Sequence, residues 1–251
     1  MKFASIAGAL AAGLLIAASG APAQAADPSV SAAVADPGRP AADVALDGAR
    51  KPAALLAFMG IKPGDRVVDV WPGAYWDRLF STAVGPQGHV YMFWPLEAAK
   101  AEQVKVPDVG SAPLPGYPNV TVLASPANAF TTPEPVDLVW IRQNYHDLYD
   151  PFMAPTDVPT FNRAVFTALK PGGLYVIVDH SAPDGSGLAG ANTTHRIDAA
   201  VVKKDVSAAG FVFVGESDAL RNPADPRTVL VFDKSIRGHT DQFVYIFRKP
   251  N

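Results

Sequence analysis

Apolar positions along the chain gather into short, nearly continuous runs, and the segments between them carry a helical period. RVVDVW (66–71), HVYMFW (89–94), VTVLA (120–124), VDLVWI (136–141) and LYVIVDH (174–180) read as strands. Runs of this length, rich in β-branched and aromatic residues and bounded by turn formers, fit strands covered on both faces. Between them YWDRLFSTAV (75–84), PLEAAKAEQVKV (95–106), VPTFNRAVFTAL (158–169) and HRIDAAVVKKDVSAAG (195–210) read as helices. A helix is also predicted over Asp43 to Met59, split or restarted at Pro52 and stopped by Gly60. Residues 26–42 are Ala/Pro-rich without period and are expected to form a flexible, loosely packed lead-in.

Strands alternating with helices predict an α/β domain over 43–251, built on a mostly parallel sheet covered on both sides. The last two apolar runs, FVFVGES (211–217) and QFVYIFRK (242–249), are joined by Asp218 to Asp241 without a crossover helix. That connection suits an antiparallel hairpin at the end of the sheet.

Composition narrows the setting. Met1-Lys2, the apolar run Ile6 to Ala18 and APAQA, with Ala23 and Ala25 at the small positions, read as a signal peptide cleaved after Ala25. The expected product is periplasmic or secreted, with no membrane span in the mature chain. The absence of cysteine excludes disulfides and thiolate zinc sites. A net charge of −3 argues against binding nucleic acid through its phosphates.

In open parallel sheets, ligands bind beyond the carboxyl ends of the strands. The residues there are Asp69, Trp71, Pro72, Gly73 and Ala74 after the first run, Glu97 after the second, and Arg142 to Asp147 after the fourth. Asp179 and His180 follow the fifth run, and His195 and Arg196 open the next helix. Three of the five histidines share this edge. No G-x-S-x-G elbow, no G-x-x-x-x-G-K-S/T loop and no G-x-G-x-x-G fingerprint is present. Neither is an H-E-x-x-H pair or comparable His/carboxylate spacing, so no metal site is expected.

RVVDVWPGAYW, PVDLVWIRQNYHDLY, LKPGGLYVIVDHSA, THRID and LRNPADPRTVLVFDKSIRGHTDQFVYIFRKP resemble the exported "predicted methyltransferase" family of bacteria. That family belongs to the class I, S-adenosylmethionine (SAM)-dependent fold. The resemblance spans roughly 43–250. It implies a Rossmann-like, doubly wound sheet of seven strands whose last strand runs antiparallel, and SAM as cofactor. Asp69, Trp71, Pro72, Gly73 and Ala74 would meet its methionine portion, with Glu97 in place of the usual ribose-binding acid. His146 would be the base in its neutral form, His180 the second candidate, and Asp179 the group fixing a tautomer. Asn144, Tyr145, His195 and Arg196 would orient a small-molecule or envelope acceptor. Where related loops carry small residues beside the glycine, this chain has Trp71 and Tyr75. These aromatic residues, with the export signal, make a non-catalytic metabolite-binding protein on the same fold the alternative expectation.

Overall fold

The computed structural model describes residues 27–251; the expected signal peptide lies outside them. The elements in chain order are α1 (Pro28–Val34), α2 (Ala41–Val44), α3 (Asp47–Arg50), α4 (Pro52–Met59), β1 (Arg66–Val70), α5 (Tyr75–Val84), β2 (His89–Pro95), α6 (Leu96–Ala101), β3 (Val120–Ser125), β4 (Val136–Arg142), α7 (Val158–Ala168), β5 (Leu169–His180), α8 (Ala191–Thr194), α9 (Ala199–Ala208), β6 (Val212–Ser217) and β7 (Gln242–Arg248).

The strands form one seven-stranded sheet in the order β3-β2-β1-β4-β5-β7-β6. The first five pair in parallel, and β7 runs antiparallel to both β5 and β6. The expected hairpin is therefore present, with β7 inserted between β5 and β6. Strand order reverses between β1 and β4, so the crevice of this fold opens at their carboxyl ends.

Continuous apolar strands follow from burial on both faces. Val68, Tyr91, Val139 and Ile177 face one core with α7 and α9, whereas Val67, Val90, Trp140 and Val176 face the other with α1, α4 and α5. In the second core Trp76 of α5 packs 4.8 Å from Trp140 of β4, and Phe80 lies edge-on to the same ring.

Three elements differ from expectation. The lead-in is ordered: Asp27 caps α1 by accepting from the Ser29 N–H, and Val30 and Ala33 are buried. Two small apolar side chains suffice to dock about two turns of helix, too few for a period to register. The helix expected over Asp43 to Met59 restarts at Pro52 as expected, where Lys51 adopts φ 50°, but its first part is further divided into α2 and α3. The helix expected from His195 starts at Ala199, since His195 itself has φ 52° and Asp198 is the N-cap.

Candidate active site

A cleft of about 620 Å³ lies over the carboxyl ends of β1 and β4, within the range of small-molecule sites. Its floor is Asp69, Gly73, Arg142, His146, Asp147 and His180; Trp71, Phe152 and Phe232 form an aromatic rim. Backbone strain gathers here. Among the described residues, seven non-glycine positions have positive φ, and Trp71, Gln143 and His195 line this cleft. Each costs on the order of 1 kcal/mol and persists only where its surroundings fix it.

The turn after β1 is built by hydrogen bonds. Trp71 donates its N–H to the Phe93 carbonyl at 2.9 Å, and its indole Nε1–H donates to Glu102 at 2.9 Å. Asp77 accepts from the Ala74 N–H at 3.0 Å, anchoring the start of α5. Gly73 has open space where a Cβ would stand, so its value is access to its backbone rather than an unusual φ. Pro72 and Ala74 shape the turn without lining the cleft. Burial and the neighbouring Asp77 push the Asp69 carboxyl well above its usual range; burial raises Asp77 to about 7. The pair holds at least one proton at neutral pH.

After β4, a chain of polar groups runs inward from the cleft. Asp179 accepts from both the backbone N–H and the Nδ1–H of His146, each at 2.8 Å. His146 Nε2 lies 3.2 Å from His195 Nδ1 and 3.2 Å from Asp147 Oδ1, and His195 Nδ1 is 3.5 Å from that same oxygen. Asn144 donates to the other Asp147 oxygen at 3.0 Å. Burial opposes a charge on His146, but Asp179 and Asp147 outweigh it and raise its pKa to about 10. His180 goes the other way: burial, then His146 and Arg142, hold it well below the usual imidazole range. Its Nδ1 shares a 2.7 Å hydrogen bond with Thr240.

Several expectations are corrected. His146 holds its proton at neutral pH, whereas His180 is an imidazole that burial keeps neutral. Asp179 meets the ring of His146, and from His180 it accepts only the backbone N–H, at 2.8 Å. Arg196 is fully buried and pairs with Asp225 at 2.8 Å while donating to the Val229 and Ser181 carbonyls; it braces the 218–241 connection and does not face an acceptor. Tyr145 is buried with its hydroxyl accepting from Asn162 at 2.8 Å, a core contact. Glu97 accepts from the Ala127 N–H at 3.1 Å, and the acid beside the cleft is Glu102, one residue past α6. The spacing of His and carboxylates in sequence predicts no metal site, yet the fold brings ligand atoms of His146, Asp147 and His195 within 4.8 Å of one another.

Sequence reasoning gave no role to Arg50 and Arg142. Both line the cleft, neither forms an ion pair among the described residues, and the buried Arg142 Nε has no partner. Burial and then the Arg50 charge lower Arg142 to about 9. Arg50 lies over the Tyr75 ring at 4.3 Å. Arg142 does stand among the edge residues that the pattern placed after the fourth run, although without a role of its own. Nothing in sequence marks Phe232, which reaches His195 from the distant connection at 5.1 Å between ring centroids.

The chain superposes on a SAM-dependent methyltransferase from Aquifex aeolicus at 20% identity and a TM-score of 0.50, covering 81% of this chain and 97% of that one. A SAM-dependent methyltransferase from Mesorhizobium loti gives 19% identity, 81% and 99% coverage, and a TM-score of 0.50. The fold is that of class I methyltransferases. The cyclase SpnF also matches, at 16% identity, 84% and 81% coverage, and a TM-score of 0.51. A methyltransferase fold thus carries more than one chemistry. No protein-family model matches this chain, and no curated protein matches it in sequence. Among the described residues, no helix of this methyltransferase fold is long and apolar enough to cross a membrane.

Proposed function

We propose that the protein is an exported SAM-dependent methyltransferase acting on an oxygen or nitrogen nucleophile of a small molecule or envelope component. The observation that carries this reading is the pair of guanidiniums without carboxylate partners, Arg50 and Arg142, at the crevice of a class I methyltransferase fold. A half-buried cation whose sealed Nε has no partner calls for an anion, and the α-carboxylate of SAM supplies one. Gly73 leaves its backbone open to the methionine portion, and Glu102 stands where ribose hydroxyls could be accepted. The residues present therefore fit the cofactor.

When bound, SAM supplies an electrophilic methyl group on a sulfonium. Methyl transfer is an in-line displacement, and positioning provides much of its rate. His180, neutral and lining the cleft, would accept a hydrogen bond from the acceptor. The aromatic rim of Trp71, Phe152 and Phe232 would hold an apolar part of it and exclude water. Export rests on the N-terminal pattern of Met1 to Ala25.

Calorimetry of the purified protein with SAM and with its demethylated product, followed by labelled methyl transfer to cell-envelope extracts, tests the reading. The expected result is binding of both, with label appearing in an extract. No binding of either compound at about 1 mM, the weak end of specific affinity, would overturn it, and binding without transfer would favour the non-catalytic alternative.

A further inference from the structure

The Nε2–H of His146 serves only the edges of the His146, Asp147 and His195 grouping that meet at it, and a cation bound there would take that proton's place. Nε2 of His146, Nδ1 of His195 and Oδ1 of Asp147 stand 3.2, 3.2 and 3.5 Å apart. All three are lone-pair atoms when unprotonated, and one proton between the two imidazoles leaves the third edge of the triangle, His195 to Asp147, weakly served. A cation equidistant from all three serves every edge at once.

The dimensions are those of a metal face. Imidazole nitrogens and carboxylate oxygens bind first-row ions at about 2.0–2.2 Å. At the right angles or tetrahedral angles of such ions, neighbouring ligand atoms stand about 3.0–3.4 Å apart. An ion about 2.1 Å from each atom lies just off the plane of the three. We propose that His146 Nε2, His195 Nδ1 and Asp147 Oδ1 form a binding site for a divalent transition-metal ion on the wall of the cleft.

The supporting groups agree. His146 donates its Nδ1–H to Asp179 at 2.8 Å, the carboxylate–histidine–metal arrangement that fixes the ring and strengthens the ligand. Asn144 donates to the second Asp147 oxygen, which directs the first one toward the imidazoles. Two carboxylates beside His146 attract a dication as they attract a proton. His195 is held at φ 52°, a conformation with a cost, and its side chain is about a third exposed on the cleft side. Two imidazoles and one carboxylate suit zinc, iron(II), cobalt(II), manganese(II) or nickel(II) better than magnesium or calcium, which favour all-oxygen sets. Three protein ligands leave positions open to an oxygen donor in the cleft, whose proton the ion would make more acidic.

The site stands apart from the methyl-transfer reading, because its test needs no SAM. Purified protein stripped with a chelator is titrated with zinc chloride by calorimetry and with cobalt(II) chloride by visible absorption. One ion per chain is expected, with a cobalt spectrum of low-symmetry, four- or five-coordinate type. His195→Gly removes a ligand and relaxes a strained φ, so it should fold normally and weaken zinc binding by about 100-fold or more. Asp179→Asn should weaken it by about 10–100-fold. His239→Ala, on the exposed part of the 218–241 connection, should leave it unchanged. Absence of stoichiometric binding by the parent protein, or unchanged affinity in folded His195→Gly, would overturn the proposal. SAM calorimetry on the same samples reports on the other reading separately.

Discussion

Asp179 at the end of β5 holds His146 through both of its oxygens, one on the backbone N–H and one on Nδ1, each at 2.8 Å. Both side chains are sealed from solvent, so the carboxylate is the fixed point from which the segment after β4 is hung. Asp179→Asn keeps the shape but presents an amide N–H to one of these donors. Removing one partner of a buried charged pair typically costs about 3–5 kcal/mol. At about 2–4 °C per kcal/mol for a chain of this size, thermal unfolding should show a melting point lower by about 10 °C. A melting point unchanged to within a degree would mean that the pairing contributes nothing to stability.

Arg196 is a bracing residue. Its guanidinium ties the Asp225 carboxylate and two backbone carbonyls, and Asp225 also accepts from the Asp241 N–H at 2.6 Å. Arg196→Ala leaves a buried carboxylate without its cation. We expect about 3–5 kcal/mol of destabilisation and faster hydrogen exchange across 218–241, while the exchange of β1 and β2 stays protected. Uniform loss of protection would show that the connection does not open as a unit.

Arg142 makes the opposite prediction. A half-buried cation repelled by Arg50 is unfavourable in the empty cleft, so Arg142→Gln should melt at the same temperature as the parent protein or higher. The variant loses a charge-assisted bond to the ligand carboxylate, worth about 1.5–3 kcal/mol. SAM and its demethylated product should therefore both bind about 10–100-fold more weakly by calorimetry. Unchanged affinity for both compounds would place the ligand carboxylate away from Arg142.

How much of this was legible in the sequence depends on range. The alternation of apolar runs with helical periods pointed to the parallel sheet, because strands covered on both faces have no polar side to show. The missing crossover between β6 and β7 pointed to the antiparallel end. Edge residues such as Asp69, Gly73, His146 and His180 were found because the carboxyl ends of strands are countable from the pattern. Pairings made by tertiary packing were not legible. Asp179 meets the ring of His146 but only the backbone N–H of its neighbour His180, and Arg196 turns inward to Asp225. Glu102 replaces Glu97 because α6 ends at Ala101 and brings the later residue over the cleft. The His146–Asp147–His195 grouping joins positions 49 residues apart, a spacing no local motif encodes.

Gly73 separates folding from binding cleanly. A Cβ built there meets nothing within 4 Å, and its φ is not in the left-handed region. Gly73→Val should therefore leave the melting temperature close to that of the parent. The added methyls enter the space assigned to the methionine portion of SAM, and calorimetry should show roughly a tenfold loss of affinity or more, equivalent to about 1.4 kcal/mol. Equal affinity would place the ligand elsewhere in the cleft.

The buried pair Asp69 and Asp77 makes stability depend on pH in a definite direction. Burial raises both carboxyls, Asp77 to about 7, and the charge of Asp77 raises Asp69 further. In the unfolded chain both titrate near about 3.9. The native state therefore binds more protons than the unfolded state between these values. By linkage, stability contributed by the protonated pair is fully present below about pH 4 and is lost as pH rises through about 7. Asp77→Asn removes the titrating group. It keeps a carbonyl to accept from the Ala74 N–H and gains a donor toward Asp69. The variant should show little advantage near about pH 4–5 and a growing one by about pH 8, of order a few kcal/mol, because a tenfold change in proton affinity is worth about 1.4 kcal/mol. Thermal unfolding of parent and variant at intervals from about pH 5 to about pH 8 measures it. Parallel curves, or an advantage that shrinks as pH rises, would show that the pair is ionised in the native protein.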